Sequence, residues 1–269
     1  MRYKPFMRIG TYNINSVRLR IERVIALLRE ENLDILCLQE TKVEDKDFPL
    51  RPLQEAGYTH IHYSGEKSYN GVAIISRIQL NNIHTLAFVN SHKRHIAATL
   101  PDGTELHNFY IPAGGDIPDP AINDKFAHKL AYCDAIAVWL RQNRKSDAPL
   151  IMLGDFNIAP LEQDVWSHKQ LLGVVSHTPV EVEKLGRLKD SLGWIDTSRE
   201  FVPHTEKLYS WWSYRNRDWR ASNRGRRLDH IWITPPLKPL LQSSHILKDR
   251  RDGEQPSDHV PVVVELMSS

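Results

Sequence analysis

The sequence predicts an α/β fold, formed as one domain with helices that cover a sheet layer. Short apolar runs alternate along the chain with amphipathic stretches of helical period. The 269 residues contain no internal repeat, low-complexity linker or Pro/Gly-rich hinge that would divide them. Apolar residues make up 41% of the chain, which is enough to bury a core. We therefore expect residues 1–269 to fold as a single domain.

The first predicted elements form a βαβ-like unit. RIGTYNIN is typical of a strand, and the LDILCLQE run is typical of a buried strand. Between them, residues 16–32 predict a helix with Ser16 as its N-cap. Apolar side chains recur in that stretch near helical spacing, at Leu19, Val24, Leu27 and Leu28.

The middle and last parts of the chain continue the alternation. HIHYSG and GVAIISR predict two paired strands, and ELHNFYIP predicts another that ends at Pro112. Residues 125–144 form the clearest helix pattern, and the buried strand PLIMLGDFN follows it. The last third is rich in loops, with strands predicted at LDHIWIT and VPVVVEL.

Composition argues against membrane and secretory classes. No window approaches the ~18 consecutive apolar residues of a spanning helix, and MRYKPFMRIG lacks the apolar region of a secretory signal. Cys37 and Cys133 lie in apolar runs without C-x-x-C spacing, so we expect reduced core residues of a cytoplasmic protein. The net charge of +2 distinguishes no class of partner.

Acids and amides occur where the predicted strands end. The pairs are Asn13 and Asn15, Gln39 and Glu40, Asp155 and Asn157, and Asp229 beside His230. Because side chains alternate along a strand, we expect Asn13 and Asn15 to share one side, and Asp155 and Asn157 likewise. Ligands of open α/β sheets gather beyond strand ends, so these residues predict one shared site.

The residue types at these strand ends indicate a hard metal ion. Any one of them alone is more typical of a turn or a cap than of a site; their number in one chain favours a site. Carboxylates and amides suit Mg²⁺ or Mn²⁺, whereas Zn²⁺ would require several His or Cys residues at close spacing. His92 and His95 have no acidic pattern around them, and we assign them to structure or surface.

Six motifs together resemble those of one known family. NIN, LQETK, FYIPAGG, LGDFNIAP, RLDHIW and PSDHVPV occur in this order across residues 13–262. The sequence is thereby similar to the exonuclease III family of abasic-site endonucleases, within the endonuclease/exonuclease/phosphatase superfamily. The resemblance implies a four-layer α/β sandwich, in which two packed mixed β-sheets are flanked by helices. It also implies a site at one edge of the sheets.

The resemblance implies a Mg²⁺-dependent DNA repair nuclease. It would hydrolyse phosphodiesters at abasic sites in duplex DNA, with 3′→5′ exonuclease and 3′-phosphodiesterase activity. Metal binding would fall to Glu40 as the main ligand, with Asn13 nearby, Asp155 also in the ligand set and Asp258 as an outer ligand. Asp155 would orient or deprotonate water, or protonate the leaving oxygen, and Asn157 would hold the phosphate or a second metal. Tyr110 would face the developing charge, and Asp229 would pair with His259 to form a clamp on the scissile phosphate.

Two questions about the chemistry stay open at this point. The first is whether Asp155 or His259 is the general base, because the pKa values that decide this depend on the assembled site and not on the sequence. The second is whether the site holds one metal ion or two.

An arginine-rich segment favours nucleic acid as the substrate. Residues 215–227 contain six Arg and one Asp, a local net charge of +5. Arg215, Arg217 and Arg224 are predicted to contact DNA phosphates, a salt-sensitive interaction. In relatives, residues matching Trp211 and Leu228 line the pocket for a flipped abasic sugar.

The chain departs from the family pattern at two positions. Ala113 stands where the enterobacterial type has a polar residue, and Arg226 where the animal type has an aromatic residue. Both departures concern the balance between abasic incision and exonuclease activity, and the expected metal-site and catalytic residue types are all in place.

Two other classes of function compete with a DNA repair nuclease. One is a metal-dependent phosphatase or lipid phosphodiesterase, because the fold implied by the resemblance also hosts those enzymes. The other is a non-catalytic DNA-binding module, which predicts the loss of some site acids. The partner we expect is double-stranded DNA with abasic sites or 3′ ends. We expect the protein to be a monomer and not to bind a membrane.

Overall fold

The computed structural model describes residues 6–216 and 218–268. Its strands are β1 (Phe6–Asn13), β2 (Ile35–Gln39), β3 (His60–Glu66), β4 (Tyr69–Ser76), β5 (Asn81–His84), β6 (His95–Thr99), β7 (Glu105–Tyr110), β8 (Leu150–Asp155), β9 (Ile195–Asp196), β10 (Trp211–Trp212), β11 (Gly225–Arg226), β12 (Asp229–Ile233), β13 (Leu241–Ile246) and β14 (Val262–Met267). Its α-helices are α1 (Ile21–Glu30), α2 (Leu50–Glu55), α3 (Asp124–Asn143), α4 (His168–Leu171), α5 (Pro179–Asp190), α6 (Thr197–Phe201) and α7 (Trp219–Ser222).

The strands form two mixed six-stranded sheets and one short hairpin. The first sheet has the order β13-β14-β1-β2-β4-β3, and the second β5-β6-β7-β8-β12-β9. In the first sheet β1 and β2 are parallel, and in the second β7 and β8 are parallel. The hairpin pairs β10 with β11. Each parallel pair is connected through a helix, α1 or α3, as a crossover requires.

Side-chain alternation divides the core into three apolar layers. Ile9, Ile35 and Ile151 belong to the layer between the two sheets. The other face of the first sheet packs against α1 through Leu27 and Leu28. The other face of the second sheet packs against α3 and α5 in a separate layer. Strands buried on both faces produce the continuous apolar runs seen in the sequence. The predicted four-layer sandwich is confirmed.

Most of the predicted elements are present, but the start of the first helix was wrong. The helix begins at Ile21, and Ser16 is not its N-cap. Ser16 has a φ of +88° and donates its backbone N–H to the carbonyl of Glu40. Leu19 lies before the helix and is exposed. The segment from residue 14 to residue 20 is therefore a loop beside the predicted site.

A glycine brings β7 and β8 close together just before the site. Gly154 has a φ of +137°, and a Cβ built on it would lie 1.9 Å from the carbonyl oxygen of Phe109. Only glycine fits this approach, and the next residue along β8 is Asp155. In the described part of the chain, no helix is both long and apolar enough to cross a membrane.

Candidate active site

Strands of both sheets bring their polar end residues to one edge of the sandwich. Tyr110 and Asp155 are the last residues of β7 and β8 and stand side by side in register. On the other side of β8, Asp155 is opposite Asp229, the first residue of β12. Asn13 ends β1 in the first sheet and reaches across to Asp155, with its Nδ2 2.8 Å from Asp155 Oδ2. The expected convergence at strand ends is therefore present.

Glu40 lies at the junction of the two sheets. Its Oε1 accepts hydrogen bonds from Asn13 Nδ2 at 2.9 Å and from the Tyr110 hydroxyl at 2.7 Å. Its Oε2 is 2.7 Å from Lys42 Nζ. Burial opposes ionisation of Glu40, but the Lys42 charge and these hydrogen bonds prevail and lower the pKa of the carboxyl group. Burial and the charges of Glu40 and Asp155 raise the pKa of Tyr110. Glu40 is thus an anion and Tyr110 a neutral donor.

Asp155 is fully buried and held by amide donors. Its Oδ2 accepts from Asn13 Nδ2 and, at 3.1 Å, from Asn157 Nδ2. Its Oδ1 accepts from the backbone N–H of Asn157 at 2.9 Å. Burial raises the pKa of Asp155; the charge of His259 opposes this rise, and the charge of Asp229 adds to it. The carboxylate has a fixed orientation and a raised pKa.

Strand alternation was the wrong reason to expect Asn15 on the same side as Asn13, and Asn157 on the same side as Asp155. Asn15 and Asn157 both lie beyond their strands with left-handed backbone, at φ of +47° and +53°. Asn157 reaches Asp155 because of this turn, and Asn15 is directed to Asp258, with Nδ2 3.1 Å from Asp258 Oδ1. Strand alternation therefore explains neither position.

His259 lies between two carboxylates. Its Nδ1 is 2.8 Å from Asp229 Oδ2, and its Nε2 is 3.7 Å from Asp155 Oδ2. The ligand atoms of these three buried residues lie within 4.8 Å of one another. Burial lowers the pKa of His259, but the charges of Asp229 and Asp155 outweigh it and raise the pKa overall. The Ser210 hydroxyl donates to Asp229 Oδ2 at 2.7 Å and fixes the orientation of the Asp229 carboxylate.

A cleft of about 650 Å³ opens in front of these groups. Glu40, Asn157, Asp258 and His259 line its floor. Asp258 Oδ2 accepts a hydrogen bond from the indole nitrogen of Trp211 at 2.9 Å. One side wall is apolar, because Trp211 and Leu228 pack in one cluster with Trp166 and Leu171.

The arginine-rich segment divides into buried and cleft-facing residues. Arg227 is fully buried and makes a bidentate contact with Asp164 at 2.8 and 2.9 Å. Arg220 pairs with Asp249 and Asp252. Arg215 and Arg224 line the cleft, and the Arg224 guanidinium lies 4.7 Å from the centre of the Trp166 ring. Arg217 lies outside the described residues.

Arg226 forms part of the cleft wall. Its guanidinium donates to the Ser176 hydroxyl at 2.7 Å and to the Val175 carbonyl at 2.9 Å. It also lies 5.2 Å from the centre of the Trp211 ring. Arg226 therefore brings a cation to the wall of the cleft beside Trp211.

The donor set fits a hard divalent cation. Four carboxylates converge on the site beside Lys42 and His259: Glu40, Asp155, Asp229 and Asp258. Carboxylate oxygens are the ligands that suit Mg²⁺ or Mn²⁺. Asn13 presents its amide nitrogen to Glu40 and Asp155, so in this orientation it aligns the carboxylates and does not face a cation with its oxygen.

The sequence analysis did not identify three residues of the site. Lys42 follows Glu40 by two positions within LQETK, so its motif could have indicated it. Ser210 and Ser176 carry no local signal, because each acts on a residue distant in sequence: Asp229 for Ser210 and Arg226 for Ser176. Only the folded chain brings these hydroxyls to the site.

A sandwich of two sheets with clustered carboxylates, amides and one imidazole at its edge defines a metal-dependent phosphodiesterase. The sequence model of the endonuclease/exonuclease/phosphatase family matches residues 10–259, and the chain belongs to this family. The predicted resemblance is confirmed.

Relatives and solved structures agree with this membership. Exodeoxyribonuclease III of Haemophilus influenzae is 30% identical over 272 residues, covering 96% of this chain and 99% of the relative. The structure of an AP endonuclease from Archaeoglobus fulgidus has a TM-score of 0.90 at 31% identity and covers 98% of this chain and 100% of its own. A 3′ phosphatase from Neisseria bound to a product DNA hairpin has a TM-score of 0.88 at 33% identity, with 97% and 100% covered.

Proposed function

We propose that this protein is a Mg²⁺-dependent nuclease that cleaves duplex DNA at abasic sites and processes 3′ ends. The observation that carries the proposal is that Glu40 and His259 line the floor of one cleft, with the buried Asp155 and Asp229 behind them, and that an apolar wall and three arginines complete the cleft. Family membership supplies the reaction class, and the names of the relatives cited above suggest DNA as the substrate.

The bound metal ion would offset negative charge on the phosphoryl oxygens. Glu40 and Asp258 would hold it, with Asn13 aligning Glu40. We assign Asn157, on the floor of the cleft, to the phosphate, and Tyr110 to the support of Glu40, whose carboxylate accepts from the Tyr110 hydroxyl. Donors placed where charge develops lower the barrier without reorganisation.

Asp155 is proposed as the general base. In the reaction, a water oxygen forms a bond to phosphorus and the phosphorus–oxygen bond to the leaving sugar breaks. The water proton passes to Asp155, whose two oxygens are held in place by Asn13 and Asn157, and the leaving sugar oxygen takes up a proton from solvent. We assign His259 as a poor acceptor, because the charges of the two carboxylates beside its ring outweigh burial and raise its pKa to about 10. We assign it as a cation that contacts the scissile phosphate.

The wall of the cleft supports abasic DNA as the proposed substrate. A nucleotide without its base costs least to extrude from the helix, and Trp211 and Leu228 offer an apolar surface for its sugar. Arg215 and Arg224 would contact backbone phosphates, and Arg217 is proposed as a third contact on its sequence position alone. We further propose that the protein acts as a monomer in the cytoplasm, in keeping with two buried free cysteines.

A panel of substrates separates this proposal from the competing enzyme classes. Duplex DNA with one abasic site, duplex DNA with a 3′-phosphate, an inositol phosphate and sphingomyelin vesicles are incubated with the protein and Mg²⁺. Cleavage of both DNA substrates supports the proposal. Untouched DNA together with hydrolysis of the inositol phosphate or of sphingomyelin would assign the chain to the phosphatases or lipid phosphodiesterases of the fold.

A further inference from the structure

A buried ion pair lies directly behind the floor of the cleft. Lys129 on α3 and Glu181 on α5 are both fully buried, with Lys129 Nζ 2.5 Å from Glu181 Oε1. Burying two charges costs more than their attraction commonly returns, and an apolar pair would hold two helices together as well. The contacts of this pair therefore call for another explanation.

The remaining contacts of Lys129 are with the two loops that carry site residues. Its Nζ donates to the backbone carbonyl of Asn157 at 2.7 Å and to that of Ala113 at 3.2 Å. Asn157 follows the end of β8 in left-handed backbone, and Ala113 follows the end of β7. One ammonium group thus sets the spacing of the loops after Tyr110 and Asp155. Gly114 closes over the lysine stem, because a Cβ there would lie 2.9 Å from Lys129 Cδ.

Glu181 extends the network to the opposite wall. Its carboxylate accepts hydrogen bonds from the backbone N–H of Ser176 at 2.9 Å and from the hydroxyl of Thr178 at 2.7 Å. The Ser176 hydroxyl in turn accepts from Arg226, which stacks near Trp211. The pair therefore links the floor of the cleft to its wall.

We propose that Lys129 is a positioning residue for hydrolysis: it holds the Asn157 and Ala113 carbonyls so that Asn157 and Asp155 keep their reactive placement. This inference rests on the proposed function for the identity of the reaction. A displacement of about 1 Å in such a group can cost about 100-fold in rate, whereas DNA affinity depends on the arginines and the wall.

The test removes both charges together. Lys129→Met with Glu181→Gln leaves neither charge unpaired, so the double variant should fold with a melting temperature near that of the wild type. We expect kcat on bis(4-nitrophenyl) phosphate to fall about 100-fold. The Kd for abasic duplex, measured by anisotropy in chelator, should stay unchanged, because the glutamine amide oxygen still accepts from the Ser176 N–H and leaves the wall in place. Glu105→Gln is the matched control: it breaks the ion pair with Arg144, away from the cleft, and should keep full kcat.

A second variant tests the proposal if the double variant does not fold. Lys129→Arg keeps the charge beside Glu181 but cannot place one ammonium on both carbonyls, and it should also lose kcat at unchanged Kd. A folded double variant with wild-type kcat, or failure of both variants to fold, would reduce the pair to structural support and overturn the proposal. Inactivity of the wild type on abasic DNA, with activity on the small diester, would instead count against the proposed substrate alone.

Discussion

The imidazole of His259 is held through both of its nitrogens, with Asp229 Oδ2 2.8 Å from Nδ1 and Asp155 Oδ2 3.7 Å from Nε2. Such an arrangement stabilises the charged ring and makes the three residues one electrostatic unit. Groups that act as a unit have non-additive effects when they are removed. Single and double mutation of His259 and Asp229 should therefore show non-additive losses of turnover.

His259→Ala and Asp229→Ala should each lower kcat by about 10²- to 10⁴-fold. The double variant should be little worse than His259→Ala, because Asp229 acts only through the ring. Turnover on abasic duplex measures the cycle, and His84→Asn on edge strand β5 is the histidine control. Independent losses that multiply in the double variant would show that the two residues do not act together.

Glu40→Gln should raise the Mg²⁺ concentration required for half-maximal activity. The amide keeps the shape of the side chain but loses the charge that holds the cation. Mg²⁺ titrations of turnover measure the shift, and Glu44→Gln, a solvent-facing acid four residues later, is the control. An unchanged Mg²⁺ requirement in the Glu40 variant would remove it from the ligand set.

Arg215→Ala and Arg224→Ala should each flatten the slope of log affinity against log salt by about one unit. Abasic and intact duplex should be weakened by a similar factor, because phosphate contacts carry no lesion specificity. Arg187→Ala on α5 removes an exposed arginine that pairs with Glu183 and should keep the slope. A full slope in both cleft variants would make the segment a solvated loop.

Trp211→Ala should leave the salt slope unchanged and narrow the gap in affinity between abasic and intact duplex. The indole shapes the sugar wall without charge, but its N–H also donates to Asp258. Trp211→Phe keeps an aromatic wall and loses this hydrogen bond, so it should retain most of the discrimination. Equal loss in both variants would assign the effect to Asp258 and not to the wall.

Asp164→Asn should lower the free energy of unfolding by about 3 kcal/mol or more, because it leaves two buried arginines poorly compensated. Burial opposes ionisation of Asp164, but Arg227 and Arg199 outweigh it and lower its pKa. This stabilisation is full above the unfolded-state pKa of about 4 and is lost as the pH falls through the folded-state value. Denaturant unfolding at several pH values should show the gap between wild type and variant shrinking in acid. A gap that persists unchanged through that range would contradict the role of Asp164 as a buried anion.

The positions of the site strands could be predicted from the sequence because their apolar runs end abruptly in acids and amides. β8, for example, is fully buried along LIMLGD up to Asp155. The turn geometry at Asn15 and Asn157 could not be predicted, because left-handed backbone leaves no periodic signal. A one-residue change of direction decides which carboxylate each amide meets.

The sequence also could not predict which arginines are buried and which line the cleft. Arg224 and Arg227 are three residues apart and look alike in sequence, yet Arg227 is buried and Arg224 lines the cleft. The difference comes from Asp164 and Asp196, which lie 63 and 31 residues from Arg227 along the chain. Charge density in a segment indicates a class of partner, whereas long-range pairing decides which charges remain available.

Metal-dependent incision at a single abasic site tests the central claim most directly. The protein is freed of metal with chelator and incubated with an end-labelled duplex that carries one abasic site, and Mg²⁺ is then added back. We predict no cleavage in chelator and, with Mg²⁺, one cut at the abasic position that is faster than shortening from the 3′ end of the matched intact duplex. An abasic strand that stays uncut at every Mg²⁺ concentration, while the protein hydrolyses other phosphodiesters, would contradict the account.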